Sequence, residues 1–458
     1  MAEALALSIL SLLATFGRMA LALVFTVAVA YALAYAMWRS RRVEAVMLPV
    51  LDVMQSVPVL GFFPIALYIF VYFVPWIGAE LAAQFLIFTS MAWNMIFGIY
   101  QAFKTLPREL LDMSRVYLNE RLELAHVFLP AALRSVYYNA AVSWANAFFF
   151  ITASEVITLG TEVKLFGIGS FVVDAFERGD TTAAYVGIAV GVAGNVALYF
   201  LLWRRLMRDV PQPPSALAEI FTPWIKHGSH AVFASAALLL AAALYYAMRS
   251  PPPPATGLLE GFAQSLASVA PTSARVLAAL GISAAVGIAA VALVVRKPEA
   301  ETPILLALSA LSSVPAVFLY PLIGSVARGE ALAVALLLPG SIVYTALNAV
   351  AAWRDVPRDF VKAYGVRGAV YYVHVLLPAA LPYLVTGLLT AWGGAWNATI
   401  VAEPLADVAG LGAYMTQAAQ AGNTPALAAS VAVMSAVVIV VNKLVWRRLY
   451  NLASQWHS

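Results

Sequence analysis

The two halves of the chain repeat one another in the same order. Trp203-Arg204-Arg205-Leu206, which closes an apolar run, recurs as Trp446-Arg447-Arg448-Leu449 at the end of another. The other matched pairs, in order along the chain, are Arg18 with Arg275, Pro58 with Pro315, Pro107 with Pro357, His126 with His374, Trp144 with Trp392 and Glu155 with Glu403. Chance matches would not keep their order, so the sequence predicts two copies of one fold in tandem.

Composition determines the solvent in which these copies fold. Hydrophobic residues make up 63% of the chain and charged residues only 11%, which is too few polar side chains to cover a water-soluble body of 458 residues. The sequence therefore predicts a membrane protein. The chain has no Cys, and its five His are scattered. We therefore expect no disulfide, no thiol chemistry and no metal site.

Helices need about 20 apolar residues to cross the hydrocarbon layer. By that criterion, spans are predicted near 18–38, 45–75, 81–103, 131–157 and 183–203, and again near 271–295, 303–325, 331–352, 379–402 and 426–446. The segment 45–75 is long and rich in Pro, so we expect a break near Pro58. An eleventh apolar run, 230–248, has no partner in the first half. The stretches 3–13 and 260–270 are predicted to be short interfacial helices that precede the first span of each copy.

The extra run has a topological reason, because an odd number of spans per copy would invert the second copy. We therefore expect an all-α polytopic bundle of about 11 spans, in which two parallel five-span repeats (1–212 and 255–458) are joined by a linker with the additional span (213–254). With the amino terminus outside, the only Lys and Arg residues at outer ends are Arg18, Lys164, Arg178, Arg249, Arg275 and Arg328. The net charge of +4 thus reports membrane orientation. It does not indicate nucleic-acid binding.

A polar stretch on the predicted cytoplasmic side separates the third and fourth spans of each copy, at 104–130 and 353–378. In the second copy, Asp359 is followed by Gly365, and a Leu-Pro pair at Pro378 closes the stretch. A short helix, a glycine break and a second short helix would present side chains sideways to the cytoplasm. This arrangement favours a docking surface over a pore lining.

The acid, the glycine and the Leu-Pro pair at this spacing resemble the EAA loop of permease subunits of ABC importers. In that family the loop forms the coupling helix, which sits in a groove of the ATPase subunit. The family's Glu-Ala-Ala reads Asp-Phe-Val at 359–361 here, and Leu118-Asn119 stands where the first copy should have its glycine. Asn can adopt the left-handed conformation that Gly would supply, so we expect an elbow there too. The resemblance implies that ATPase subunits dock at Asp112, Tyr117, Leu118, Asn119, Asp359, Gly365, Val366 and Arg367.

The run 377–383, followed by Gly387, Glu403 and Gly410-Leu411-Gly412, resembles permeases of the nitrate, sulfonate, taurine and bicarbonate type. The resemblance implies a multi-pass protein of the cell (inner or plasma) membrane that forms the pathway for a small anion. It also implies two ATP-binding cassette ATPase subunits and an extracytoplasmic substrate-binding protein as partners. The chain itself has no G-x-x-x-x-G-K-[ST] loop. We therefore expect no catalytic residue and no cofactor in it, with ATP bound by the partner subunits.

Polar side chains inside spans are costly without partners, so they are expected to face the interior of the bundle. The candidates for lining the pathway are Asn94, Asn146, Asn348, Trp396 and Asn397. Each of them has an alternative role, which is to hold the bundle together by bonding or packing between helices. Glu155 and Glu403 occupy equivalent positions in the two copies. A bond to backbone or to a neighbouring helix is the favoured interpretation for both, because a carboxylate would repel an anion.

A rival hypothesis is an ion-coupled secondary transporter, which can also be built from parallel repeats. Such a transporter needs an ion-coupling site inside the membrane. Asp52 is the one acid expected well inside a span, and its counterpart in the second copy is Ser309. The sequence therefore offers no convincing proton relay. Loss of transport on removal of ATP, with the proton gradient intact, would favour the importer.

Overall fold

The computed structural model describes residues 2–56, 58–157, 165–249, 255–312, 314–352, 365 and 368–455. Within these residues the regular structure is entirely helical, as the predicted all-α class requires. The first repeat and the linker contain α1 (Ala2–Arg39), α2 (Arg41–Ser56), α3 (Val59–Phe73), α4 (Gly78–Lys104), α5 (Arg108–Tyr117), α6 (Glu120–Glu123), α7 (Leu129–Ile157), α8 (Ile168–Glu177), α9 (Thr181–Leu198), α10 (Arg204–Asp209) and α11 (Ser215–Arg249).

The helices of the second repeat follow in the same order. They are α12 (Ala255–Arg296), α13 (Glu301–Ser312), α14 (Ala316–Gly324), α15 (Gly329–Ala351), α16 (Gly368–Tyr371), α17 (Leu377–Leu405), α18 (Leu411–Gln420), α19 (Thr424–Val441) and α20 (Arg447–Gln455). Short π-helical turns precede α7, α10, α17 and α20, at Leu124–Phe128, Tyr199–Trp203, Tyr372–Leu376 and Asn442–Trp446. The π-helix is rare, so its presence at equivalent places in both repeats supports the duplication.

The first helix of each repeat is longer than one crossing needs. α1 has 38 residues and α12 has 42, which correspond to about 57 and 63 Å of helix, whereas a bilayer with its headgroups is about 40–45 Å thick. The prediction of separate interfacial helices at 3–13 and 260–270 is therefore wrong, because no break divides these stretches from the span. Both stretches are rich in Ala and Leu, which favour helix, and the single Pro271 does not end α12.

The second predicted span of each repeat is broken at its Val-Pro pair. In the first repeat, α2 ends before Pro58 and α3 begins after it, and in the second repeat α13 and α14 flank Pro315. Proline lacks the N–H that would continue the helix, and it disfavours helical geometry in the residue before it. Eight helices of the described residues are long and apolar enough to cross a membrane. The multi-pass prediction is thus confirmed, whereas the count of about 11 spans is not.

The chain forms two compact units. Unit 1 comprises Met1–Gln55 and Phe63–Pro253, and unit 2 comprises Ser56–Phe62 and Pro254–Ser458. In unit 1, α1 packs against α4, α9 and α11, while α4 packs against α7. In unit 2, α12 packs against α15 and α19, while α15 packs against α17. The first helix of each repeat therefore contacts several other helices of its own unit.

Candidate functional site

The first elbow, which is predicted to be cytoplasmic, lies between α5 and α6, and both of its residues are extended. Leu118 has φ −118° and ψ 144°, and Asn119 has φ −75° and ψ 162°. The Oδ1 atom of Asn119 accepts a hydrogen bond from the backbone N–H of Leu122 at 2.9 Å. The expected left-handed Asn is therefore wrong. Two extended residues already turn the chain, and the Asn side chain caps α6 instead, which a glycine could not do.

The helix before this elbow exposes an apolar face. Met113, Val116 and Tyr117 are exposed, and Tyr117 keeps 80% of its surface accessible. Residues three and four apart lie on one face of a helix, so these side chains form one patch. Asp112 is also exposed, and its Oδ1 lies 3.9 Å from Nη1 of Arg115. Apolar groups exposed on a polar segment indicate a contact surface. Met113 and Val116 belong to this surface and were not among the docking residues predicted from the sequence.

The helix after the elbow is held by cations. Oε1 of Glu120 accepts a hydrogen bond from Nη1 of Arg39 at 2.8 Å, and Oε2 accepts one from Nζ of Lys226 at 2.5 Å. The bond from Lys226 and the charges of both cations lower the pKa of Glu120. Nη2 of Arg121 lies 3.7 Å from Oε2 of Glu219. α6 is therefore tied both to the end of α1 and to α11.

The second elbow differs in its backbone. Gly365 has φ +62° and Gly368 has φ +65°, a left-handed conformation that favours glycine. Gly365 is exposed, and a Cβ added there would meet nothing within 4 Å. Asp359, Val366 and Arg367 lie outside the described residues. The docking role of both elbows stays a prediction, and it is taken up below.

A buried carboxylate near the end of α7 binds the first turn of α8. Oε2 of Glu155 accepts a hydrogen bond from the backbone N–H of Gly169 at 2.8 Å. Oε1 accepts from Oγ1 of Thr15 at 2.8 Å and from Nη1 of Arg18 at 3.3 Å. The Thr15 hydroxyl in turn accepts the N–H of Ile168 at 3.1 Å. The first N–H groups of a helix have no partner within the helix and carry partial positive charge, so this carboxylate anchors α8 to α7 and α1.

Glu403 forms the same arrangement in the second repeat. Its Oε2 accepts the backbone N–H groups of Gly412 at 2.8 Å and Ala413 at 3.1 Å, at the start of α18. Its Oε1 accepts from Oγ1 of Thr272 and from Nη1 of Arg275, both at 2.7 Å. The favoured interpretation of Glu155 and Glu403, a bond to backbone and to a neighbouring helix, is therefore confirmed.

Each of these arginines also holds a second carboxylate. Arg18 donates from Nε and Nη2 to the two oxygens of Glu80 at 2.6 and 2.5 Å. Arg275 donates from the same nitrogens to Glu330, at 2.6 Å in both bonds. Two parallel bonds to one carboxylate give a strong and well-oriented pair. Each arginine therefore links three long helices of its unit, which are α1, α4 and α7 in unit 1 and α12, α15 and α17 in unit 2.

The repeated Gly-x-Gly motifs are explained by these carboxylates. A Cβ added to Gly167 would overlap the carboxylate of Glu155, and one added to Gly410 would overlap that of Glu403. A Cβ at Gly412 would overlap a backbone carbonyl of α17, since it would meet Thr399. The glycines are therefore required by close approach, so that the start of α8 or α18 can reach the buried acid.

The sequence analysis noticed the matched arginines but missed the clusters that they form. A signal was present, because the other members of the clusters also recur at matching places in the two copies. These members are Thr15 with Thr272 and Glu80 with Glu330. A charged or hydroxyl side chain that is repeated beside a repeated intramembrane arginine indicates a shared polar network.

Two of the predicted pathway residues, Asn397 and Asn348, bond to backbone groups. Nδ2 of Asn397 donates to the carbonyl of Gly393 at 3.0 Å, and its Oδ1 accepts the N–H of Leu60 at 3.1 Å. Nδ2 of Asn348 donates to the carbonyl of Tyr344 at 2.8 Å.

The other three predicted pathway residues are buried or half-buried in the helices that carry them. Trp396 is fully buried, with its ring centroid 5.6 Å from that of Trp392. Asn94 and Asn146 are half-buried on α4 and α7. Bonds and packing of this kind hold helices together, so a pathway role stays a prediction for all five residues.

The acids of the described residues do not form a metal site. Within this part of the chain, no group of three or more His, Cys, Asp or Glu side chains could hold a metal ion. Glu155 and Glu403 are engaged by arginine, threonine and backbone donors. Their oxygens therefore accept hydrogen bonds that hold helices together. The expectation that the chain carries no cofactor stays an expectation.

Comparison with known families gives a match in each repeat. The family described as "Binding-protein-dependent transport system inner membrane component" matches residues 22–203 and, a second time, residues 278–453. The two matched ranges cover most of the chain and correspond to the two predicted repeats. No solved structure matches the chain.

Relatives with established names are 24–29% identical to the chain over stretches of 133–175 residues. The nitrate import permease protein NrtB of Leptolyngbya laminosa is 28% identical over 162 residues, which are 34% of this chain and 54% of that protein. The bicarbonate transport system permease protein CmpB of Synechococcus elongatus is 24% identical over 175 residues, or 37% and 59%. The taurine transport system permease protein TauC of Escherichia coli is 29% identical over 133 residues, or 28% and 48%. The chain thus spans about half the length of the relatives it matches.

Proposed function

The chain belongs to the family of binding-protein-dependent transport system inner membrane components, and on this premise we propose that it is the permease of an ATP-driven importer. Both repeats would come from this one polypeptide, because the family matches each of them in turn. The chain would bind ATPase subunits on the cytoplasmic side and would not hydrolyse ATP itself.

The observation that carries this proposal is the exposed apolar face of α5. Met113, Val116 and Tyr117 project from a segment in which four of the ten residues are charged. A lipid-facing position would not explain them, because α5 also exposes Asp112 and Arg115, and charged side chains are costly in hydrocarbon. A protein surface with apolar and charged groups side by side is the partner that this face fits. We propose an ATPase subunit at each of the two elbows.

Energy would pass from the elbow into the membrane through the contacts of α6. When an ATPase subunit moves against α5, Glu120 carries the displacement to Arg39 at the end of α1, over a hydrogen bond of 2.8 Å. Near its middle, α1 is bound through Arg18 to α4 and α7. A displacement of α6 at the cytoplasmic end would therefore move α1, α4 and α7 of unit 1 together.

The substrate that we propose is a small anion delivered by an extracytoplasmic binding protein. The relatives are named for the import of nitrate, bicarbonate and taurine, which all carry an anionic group. The clusters around Glu155 and Glu403 are not proposed as substrate contacts, because their carboxylates are buried and already bonded.

Affinity purification tests the proposal. The tagged chain is extracted from its native membranes in mild detergent, and the partners and their stoichiometry are measured by mass spectrometry. We expect two P-loop ATPase subunits per chain, and we expect the double substitution Met113→Ala and Tyr117→Ala to reduce their recovery. Leu240→Ala is the matched control, because Leu240 is an equally exposed apolar residue on α11, away from α5.

A transport assay separates this proposal from the secondary transporter. Proteoliposomes with the purified complex are supplied with labelled nitrate, bicarbonate or taurine together with the co-purified binding protein. Uptake should require ATP inside the vesicles and should persist when the proton gradient is collapsed. A chain that purifies alone and moves solute without ATP would overturn the importer.

A further inference from the structure

The linker helix α11 is divided into two parts with different surroundings. Its first half packs into unit 1, where Ala218, Thr222 and Ile225 are buried. The indole N–H of Trp224 donates to the carbonyl of Ala28 in α1 at 2.7 Å. The second half, by contrast, exposes most of its apolar side chains. Crossing the membrane explains the second half but not the first.

The buried half ends beside the first coupling segment, which we define as α5, α6 and the π-helical turn after them (108–128). Nζ of Lys226 donates to Glu120, and Glu219 lies beside Arg121, as described above. The two contacts join the linker helix to two neighbouring residues of α6, one contact to each residue. Glu219 and Lys226 lie about two helical turns apart on α11, and their two opposite-charge contacts have reversed polarity. Together they fix the position and the rotation of the start of α6.

The second repeat cannot make these contacts. When the copies are aligned on His126 and His374, Glu120 corresponds to Gly368 and Arg121 to Ala369. Gly368 has no side chain to receive a cation. A bond from the end of the first helix of the repeat is present in both copies. Arg39 donates to Glu120 in the first copy, and Nε of Arg296 donates to the Tyr372 hydroxyl at 2.6 Å in the second. At the described positions equivalent to Glu120 and Arg121, the second copy therefore offers no charged partner for such support.

We propose that the linker helix is a brace for ATPase coupling, in which Lys226 and Glu219 hold α6 of the first coupling segment in place. The inference rests on the proposed function for the role of that segment. The first elbow lacks the glycine of the second, and after its two extended residues α6 forms the first turn of a helical run that continues through the π-helical turn into α7. The first turn of a helix is the part that frays, because its N–H groups have no partner within the helix. The brace supplies the support that lets this elbow transmit force, and Glu120 is its positioning residue.

Hydrogen–deuterium exchange of the full chain in lipid nanodiscs tests the brace without any partner. We expect Lys226→Met to speed exchange of the backbone amides in 120–128 by about three- to fivefold, as loss of a small ion-pair network at a surface would. Exchange in the equivalent segment 368–376 should not change. The charge-swapped pair Glu120→Lys with Lys226→Glu should restore slow exchange, although Arg39 then faces a like charge, so restoration is expected to be partial.

His227→Met is the matched control, because His227 is the exposed neighbour of Lys226 on the same helix. Unchanged exchange at 120–128 in Lys226→Met would overturn the brace. Equal acceleration in Lys226→Met and His227→Met would also overturn it, because the effect would then belong to α11 in general.

A second readout links the brace to coupling. ATPase recovery with the tagged chain is measured for wild type, Lys226→Met and the swapped pair. We expect a severalfold loss in Lys226→Met that the swap partly restores, a pattern that a purely local stabilising role would not produce. Full recovery in Lys226→Met would overturn the coupling role. If wild type itself recovers no ATPase, the proposed function fails, whereas the exchange experiment still decides whether α11 braces α6.

Discussion

Replacement of Glu403 by Gln removes one charge from a buried cluster and leaves its shape unchanged. The wild-type carboxylate accepts four hydrogen bonds, from Thr272, Arg275, Gly412 and Ala413. A Gln side chain has one oxygen and one NH2 group. Either the NH2 faces the two backbone N–H groups, or it faces the guanidinium and the hydroxyl. In both orientations, donors meet donors in a buried site.

The magnitude follows from the number of donors left without an acceptor. Each buried donor that loses its acceptor costs about 1–3 kcal/mol, and removal of one partner of a buried ion pair costs about 3–5 kcal/mol. We therefore expect Glu403→Gln to lower the free energy of unfolding of unit 2 by about 3–5 kcal/mol. For a cooperative unit of about 200 residues, this corresponds to a fall of about 6–20 °C in the unfolding midpoint.

Thermal unfolding of the detergent-solubilised chain, followed by Trp fluorescence, measures this fall. Glu330→Gln is the matched control, because it removes a carboxylate from the same Arg275, but the side chain of Glu330 is 69% exposed. Arg275 is buried, but solvent reaches the Glu330 side chain, and a Gln there can still accept one of the two bonds. We therefore expect a cost of about 1 kcal/mol and a fall in the midpoint of about 2–4 °C. Equal falls in the two variants would refute the reasoning, because the burial of Glu403 and its backbone donors would then contribute nothing.

Three further predictions concern backbone and charge. Gly410→Ala should lower the unfolding midpoint by at least as much as Glu403→Gln, because the added Cβ would overlap the carboxylate of Glu403. The control is Gly393→Ala, where the added Cβ meets open space. This control should be neutral or should stabilise the chain by up to about 1 kcal/mol. Asn119→Ala should speed amide exchange in α6 by about fivefold, because an N-cap side chain contributes roughly 1 kcal/mol, whereas Asn119→Gly should speed it only slightly. Slower exchange in Asn119→Gly than in wild type would contradict the extended conformation and favour a left-handed residue at this elbow. Since the folded pKa of Glu120 is lowered, its support of α6 is present above the unfolded pKa of about 4.3 and is lost as the pH falls through the folded pKa. Exchange at 120–128, corrected for its intrinsic pH dependence, should therefore accelerate at acid pH in wild type but not in Glu120→Gln.

The architecture was largely predictable, because it depends on patterns that run over many residues. The order of repeated residues predicted the duplication, and the Val-Pro pair at Pro58 predicted the break in the second span of the first repeat. The equivalent break at Pro315 was not predicted. Ends of elements were less predictable. The amphipathic starts of α1 and α12 gave no hint that they continue into the span, since Ala and Leu form both interfacial and spanning helices.

The sites depended on side-chain geometry that sequence reasoning could not supply. Asn119 was a reasonable substitute for glycine, but its side chain finds a backbone N–H to cap, and this local bond decides its conformation. Arg18 and Arg275 were assigned to the outer ends by charge counting. The structure shows what they bind, which requires knowing that Glu80 and Glu330 start helices that pack beside them.

The difference between the extended Leu118-Asn119 elbow and the left-handed Gly365 elbow bears on how such a chain can evolve. In a homodimer, one codon specifies both elbows, so any substitution is expressed twice and must be tolerated at both. In a fused chain, each elbow has its own codons, and one can lose its glycine while the other keeps it. The two copies can therefore drift toward separate tasks, and genetic screens can score each elbow alone.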